Sequence, residues 1–472
     1  MVGVRENHAR LRYLLLGGCG SGMSALAEIL TDANHILTGM DQSISAACQP
    51  PFLPHADVEW LPWSETLSSS VDADVCVFSP AVGRRSPLVQ QAVARGIQVQ
   101  SLHECLVNVY KARQQLCVAG THGKSTTTAM LSWVLESCGR APGCFIGGRQ
   151  IATQRSGQLG QGQHVVLESC EFNRSFLTFS PAVGVLTGIE RDHFDCFPNQ
   201  DDEDAAFVEF AQRISSDGVL IYRSDCRRSR AVARSAACRT ASFSLDSSGI
   251  DWNVSETKLD AAGSHFQLQP RGRRSLTVTL SVPGRHNIAN AVAAIAAAAE
   301  VGVAPEEAAA ALAGFRGVHR RFERRGVYHG MVLVDDYAHH PTAVRETLRT
   351  ARQVFPNQRI VAVFEPHQVV RTRSLFLEFA EALQMADEVL LLPVFAAREH
   401  VARRECCRLS GDLVRQLNER GTRAFLFAGI DQILSRIDYS GKPSDVLLTM
   451  GAGRTNLIHD ELNRRLQRHS VA

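Results

Sequence analysis

An α/β protein built from three successive units is what this chain of 472 residues predicts. Three observations carry that expectation. Short apolar runs alternate with segments of helical spacing, which argues for parallel sheets covered by helices. The alternation restarts twice, at "QQLCVAG" and again near Val327. Many of the apolar runs end in glycines or polar clusters, where open α/β sheets place their ligands.

In the first unit "RYLLLGG", "HILTGMD", "ADVCVFSPA" and "IQVQS" read as strands, with helices at "MSALAEIL" and "SPLVQQAVARG". In the second, a strand at 115–119 runs into glycines and then a helix from Lys124 to Ser137. Met130, Trp133 and Val134 share one face of that helix, and Gly139 stops it. "HVVLESCE" and "AVGVLTGI" are two further buried strands. "RQIATQRSGQLGQGQH" is polar and reads as a surface loop. "DDEDAAFVEFAQRI" starts with acids, which suits a helix N-terminus. Residues 240–283 are β-rich. Ala289 to Gly314, the longest apolar stretch, contains Glu300, Pro305, Glu306 and Glu307, so it reads as two short buried helices and no membrane span. In the third unit "GMVLVDDYAHHPT", "QRIVAVFEPH", "DEVLLLPVF" and "SDVLLTMGAG" are strands with helices between them.

A hydrophobic content of 45% supports packed cores, and a net charge of +2 argues against a nucleic-acid partner. Thirteen cysteines without a C-x-x-C pair argue against a zinc ribbon and suit a reducing compartment. Met1 to Arg12 is charged and lacks an apolar core, so no signal peptide is expected. The expectation is a cytoplasmic protein, monomer or homodimer, without a membrane partner.

The chemistry concentrates in seven stretches. "GTHGKST" (Gly120, Thr121, His122, Gly123, Lys124, Ser125, Thr126) lies between a strand and a helix, where backbone N–H groups and the helix dipole converge on phosphate. Lys124 would reach the β- and γ-phosphates and Ser125 would hold Mg²⁺. The usual phosphate loop carries a glycine five residues before Gly123; here that position is Val118. "LLLGGCGSGM" resembles a dinucleotide fingerprint, yet it fails from Gly17 at Cys19 and from Gly18 at Met23. What survives is a tight turn that admits a diphosphate. "LESCE" puts Glu168 and Glu171 near a strand end, where a carboxylate can hold a second Mg²⁺; surface charge explains them equally well. "ERDHFD" offers Asp192, His193 and Asp195, an imidazole with carboxylates to orient it. In "GRHNIANA", Asn287 and Asn290 lie one turn apart, with helix capping the simpler explanation. Arg320 and Arg321, followed by Asp336, His339 and His340, suit ATP gripped between two domains. His367, Arg371 and Arg373 follow another strand end, and arginines there can clamp a carboxylate.

In this order and spacing the seven stretches resemble the Mur ligase family, over roughly Leu14 to Gly453. The short loop "GTHGKST", with "GRHNIANA" and "DYAHHPT", carries the resemblance. It implies a Rossmann-like UDP-sugar domain (1–113), a central P-loop ATPase-like domain (114–325) and a Rossmann-like amino-acid domain (326–472). It further implies UDP-N-acetylmuramate, L-alanine and ATP as reactants, with Mg²⁺. Gly17, Gly20, Gly22, Met23, Asp41 and Ser79 would meet the UDP-sugar. Ser125, Glu171 and His193 look like the metal set, Asn287 the adenine reader, and Arg321, Asp336 and His339 the groups at the phosphates. Lys124 would stabilise the transferred phosphoryl, and His367 and Arg371 would hold the amino acid. The sequence departs from the family pattern at Cys170, Phe172, Asn173, Gly188, Ala343, Gln368 and Arg454.

Overall fold

The structure is a computed structural model and describes residues 10–44 and 53–469. The reading of Met1 to Arg12 as free of a signal peptide falls mostly on residues 1–9, which lie outside that range.

The first sheet is parallel, ordered β3-β2-β1-β4-β5. Its strands are β1 (Arg12–Leu16), β2 (Ile36–Asp41), β3 (Glu59–Pro62), β4 (Val75–Phe78) and β5 (Gln98–Ser101). Helices α1 (Ser21–Asp32), α2 (Pro87–Ala94) and α3 (Leu102–Val109) cover it. The central strands β1 and β4 are apolar and buried almost throughout, so both faces are packed there, while the edge strands β3 and β5 are partly exposed.

The middle sheet has ten strands. It starts with β6 (Gln114–Ala119), followed by α4 (Lys124–Ser137) with the bounds expected. Then come β7 (Gly143–Phe145), β8 (Gly157–Gln158), β9 (His164–Glu168) and β10 (Val183–Leu186). Next are α5 (Gln200–Gln212), β11 (Val219–Arg223), α6 (Arg227–Ala233) and β12 (Arg239–Ser244). A meander of β13 (Trp252–Asp260), β14 (Gly263–Pro270) and β15 (Leu276–Leu280) forms the edge. The alanine-rich stretch folds as α7 (Arg285–Glu300) and α8 (Pro305–Leu312). Its small side chains let α7 pack close on α4, with twelve consecutive residues from Asn287 to Ala298 buried.

The polar segment 149–164 is no free surface loop. Glu28 of α1, fully buried, accepts the N–H groups of Ser156 and Gly157, both at 2.8 Å. Arg155 pairs with Asp32 at 2.7 Å. The segment thus ties the middle domain to the first, using backbone donors that composition hides.

The third sheet runs β16-β17-β21-β18-β19-β20. Its elements are β16 (Glu323–Tyr328), β17 (Met331–Asp336), α9 (Pro341–Val354), β18 (Ile360–Glu365), α10 (Val369–Ser374), α11 (Phe376–Leu383), β19 (Glu388–Leu391), α12 (Arg403–Glu419), β20 (Arg423–Leu426), α13 (Ile430–Ser440), β21 (Val446–Gly451) and α14 (Leu457–His469). Only β16 is antiparallel. The break expected between residues 325 and 326 falls inside β16. No helix among the described residues is long and apolar enough to cross a membrane.

Candidate active site

One cavity of about 2000 Å³ is lined by all three units. It collects the C-terminal ends of β1, β6, β9, β10 and β17, as the rule for open α/β sheets requires.

At the first domain, Gly17 has φ +77° and donates its N–H to the Met40 carbonyl at 2.8 Å. Asp41 accepts the N–H of Cys19 at 3.0 Å and that of Ser43 at 2.9 Å. Its carboxylate therefore shapes the glycine turn. Gly17, Gly20, Gly22, Met23, Asp41 and Ser79 all line the cavity.

At the middle domain, Val118 is fully buried inside β6, where it pairs with Val185 and Glu168. The strand continues through Val118 to Ala119, and the loop opens only at Gly120. Gly123 closes it at φ +81°; a Cβ there would come within 2.4 Å of Asn290 Oδ1. Asn290 also accepts from Thr127 Oγ1 at 3.2 Å and donates to Asn287 Oδ1 at 3.2 Å. Asn287 donates to the Pro283 carbonyl at 2.7 Å. Capping does not explain this pair: Gly284 is the N-cap, and neither asparagine accepts a helix N–H. They hold the phosphate loop against α7.

Lys124 Nζ donates to the Gly120 carbonyl at 2.5 Å and to Glu171 at 2.9 and 3.2 Å. Burial alone would lower the lysine pKa, but Glu171 with Cys170 and Glu168 reverses this and raises it. Burial likewise opposes charge on Glu171, yet Lys124 and His193 bring its carboxyl down to about 2. His193 Nε2 lies 3.5 Å from Glu171, and its backbone sits at φ +49°, an uncommon conformation typical of functional positions. Burial would discharge this imidazole; Cys170, Glu171 and Asp192 hold its proton instead.

Ser125 does not reach toward Glu171 and His193 as one set. Its Oγ donates to Glu168 at 2.9 Å, and Glu168 also accepts Gly147 N–H at 2.6 Å. Glu168 therefore belongs to the site; its place at a strand end beside a second acid was the available signal. The oxygens of Ser125, Glu168 and Glu171 suit Mg²⁺, which takes few protein oxygens and keeps water. Glu171 itself, behind Cys170 and Phe172, is off the cavity wall.

From the third domain, Arg321 Nη2 donates to Ser125 Oγ at 3.2 Å and its guanidinium stacks on Tyr337 at 4.9 Å. Asp336 accepts Phe322 N–H and Ala338 N–H, both at 2.7 Å, so both carboxylate oxygens hold backbone. That geometry positions Arg321 and His339 rather than leaving an acid free for ligand. His339 Nδ1 meets the Tyr337 carbonyl at 2.9 Å, which makes it the donor nitrogen and leaves Nε2 as acceptor. Burial, then Arg371, keep this imidazole neutral, well below its usual pKa.

His367 and Arg371 do not line the cavity. Arg371 is 2% exposed; its Nε donates to Asp192 Oδ1 at 2.7 Å and its Nη1 meets His367 Nδ1 at 2.9 Å. Burial opposes the Asp192 charge, and Arg371 outweighs it, holding the carboxyl well below its usual range. The expected carboxylate clamp is thus already closed on a protein carboxylate from the middle domain. Gln368 joins the same junction by donating to Asp195 at 3.1 Å.

A phosphate loop facing an arginine from a third domain, with a glycine turn for a diphosphate in the same cavity, defines a nucleotide-consuming ligase: the chain belongs to the Mur ligase family. It is an ATP-dependent, amide-forming enzyme. The Mur ligase middle domain matches residues 118–298 and the Mur ligase glutamate ligase domain residues 320–453. The UDP-N-acetylmuramate–L-alanine ligase of Nitratidesulfovibrio vulgaris is 36% identical over 445 residues, 94% of this chain and 96% of that one. That of Caldanaerobacter subterraneus is 32% identical, covering 95% and 96%. Among solved structures, the UDP-N-acetylmuramate-alanine ligase of Thermotoga maritima gives a TM-score of 0.82 at 25% identity, covering 98% and 100%. A murein peptide ligase of Psychrobacter arcticus gives 0.73 at 25% identity, covering 96% and 98%.

Proposed function

We propose that the enzyme joins L-alanine to the carboxylate of UDP-N-acetylmuramate, with ATP converted to ADP and phosphate, in the cytoplasm. The observation that supports this most is the single cavity linking the glycine turn of the first domain, the phosphate loop and Arg321. A carboxylate is a poor acyl donor, so the reaction runs in two steps. A muramyl carboxylate oxygen attacks the γ-phosphorus and the bond to the β-phosphate oxygen breaks, giving an acyl phosphate and ADP. The amine then attacks the acyl carbon, the carbon–oxygen bond breaks, and phosphate leaves with that oxygen.

The chain's part is positioning and charge neutralisation. Lys124 and Arg321 approach the transferred phosphoryl from two domains. Mg²⁺, held by the oxygens of Ser125, Glu168 and Glu171, would neutralise phosphate charge, with His193 beside Glu171 as a charged neighbour rather than a ligand. His339, held with Nδ1 as donor and Nε2 as acceptor, lines the cavity beside Tyr337 and Arg321 as a neutral polar group. The asparagine pair Asn287 and Asn290 fixes the loop beside the base site. Closure of the third domain keeps water from the acyl phosphate.

An ADP-release assay with UDP-N-acetylmuramate and, in turn, L-Ala, Gly, L-Ser and murein tripeptide tests this reading. The expected result is ADP release that depends on both the sugar nucleotide and L-Ala. Highest turnover with tripeptide would make it a recycling ligase, and sugar-nucleotide binding without ADP release would make it a non-catalytic binding protein.

A further inference from the structure

A second cluster of ligand-type atoms spans the junction between the middle and third domains. His122 of the phosphate loop, Glu190 beyond β10 and His340 at the N-cap of α9 each bring one such atom within 4.8 Å of the others. His122 Nε2 lies 3.3 Å and His340 Nδ1 3.7 Å from the same Glu190 oxygen. The two rings are 4.7 Å apart.

The hydrogen bonds fix what each atom offers. His340 Nε2 lies 3.2 Å from the Arg191 carbonyl, which only accepts, so this nitrogen carries the hydrogen. Nδ1 then presents its lone pair, reached by Thr342 N–H only at 3.3 Å. Thr342 Oγ1 donates to Glu190 at 2.6 Å. Burial pushes His340 down to about 4, and His122 beside it acts in the same direction. Burial opposes charge on Glu190, but hydrogen bonds from His122 and Thr342 bring it down to about 2. The His340 Nδ1 lone pair therefore faces a Glu190 carboxylate oxygen 3.7 Å away, two acceptors with a second imidazole alongside. A cation between them resolves that conflict. Two imidazole nitrogens and one carboxylate oxygen suit zinc-type ions over Mg²⁺, with a fourth position open. The Arg191 carbonyl orients His340 as an outer partner does in such sites.

We propose that His122, Glu190 and His340 form a transition-metal site of zinc type that clamps the middle and third domains together and inhibits turnover. His122 stands two residues before Lys124, and the ligands come from both sides of the junction between the middle and third domains. The inhibition rests on the ligase reading; the metal binding does not.

The test titrates Co²⁺, followed by absorption, and Zn²⁺, followed by calorimetry, into the full chain with Mg²⁺ in excess. Wild type, Glu190→Gln, His340→Gln and Cys170→Ser are compared, with circular dichroism to verify folding. The expected result is one equivalent bound, no thiolate charge-transfer band, and affinity lowered at least about tenfold by either the Glu190 or the His340 change. Cys170→Ser leaves that binding unchanged. No binding to wild type overturns the site, and a thiolate band lost in Cys170→Ser moves the metal to Cys170, Glu171 and His193. Zinc also stops ADP release by wild type, reversibly with a chelator; binding at Glu190 without that loss overturns the clamp while leaving the ligase reading untouched.

Discussion

Lys124→Ala lowers the rate of ADP release by at least about a thousandfold while the sugar nucleotide still binds. The magnitude follows from removing a preorganised cation from a phosphoryl transfer in which the protein does little but position and neutralise. Lys124 is held in place by the Gly120 carbonyl and Glu171. The same change strands Glu171, fully buried, with only His193 as a charged partner. Its carboxyl then rises from about 2 and takes up a proton more readily. Stability falls toward the lower end of the about 3–5 kcal/mol typical of breaking a buried pair, because His193 remains. Calorimetric titration with UDP-N-acetylmuramate separates the two effects. Wild-type turnover in this variant would remove the phosphate role from Lys124.

Arg371→Ala has the largest expected effect on stability, about 3–5 kcal/mol, because it leaves Asp192 buried without the ion pair that chiefly offsets its burial. For a unit of this size each kcal/mol shifts the melting temperature by about 2–4 °C. The third domain loses its main ionic tie to the middle one, so kcat falls together with thermal stability. Asp192→Asn combined with Arg371→Met recovers most of the stability, since no buried charge then lacks a partner. If Arg371→Ala instead raises only the KM for L-Ala and leaves melting unchanged, Arg371 grips the amino acid and the bridge is incidental.

Much of the fold could be read from local pattern. The strand, loop and helix around Lys124 have bounds set by residues within a few positions: an apolar run, two glycines and Gly139 past the end. The acids after Asn199 read as a helix start, and Asn199 Oδ1 does cap Asp202 N–H at 2.9 Å. The apolar runs do not predict helix α3; its signal is the reciprocal capping box of Ser101 and Glu104, which apolar spacing does not show. Strand β3 is short and half-exposed, with a proline at its end, so it carries little periodic signal. The site divided along a different line. Residues placed by their own loop, such as Lys124 and Ser125, were visible in the motif. Residues whose partner lies far along the chain were not: Glu28 beneath Ser156, Glu168 on Ser125, and Asp192 on Arg371, 179 positions away. Charge type and strand-end position mark such groups as candidates. Only the packing of domains decides whether an arginine there meets a ligand or another side chain.

The central claim is that the sugar carboxylate is activated as an acyl phosphate in the cavity between Lys124 and Arg321. Its most direct test uses UDP-N-acetylmuramate labelled with ¹⁸O in both carboxylate oxygens, with ATP and L-Ala, and mass analysis of the phosphate released. Phosphate carrying one ¹⁸O per turnover is the predicted result, because the attacking oxygen leaves with the phosphoryl group. Unlabelled phosphate formed alongside the amide would contradict the account.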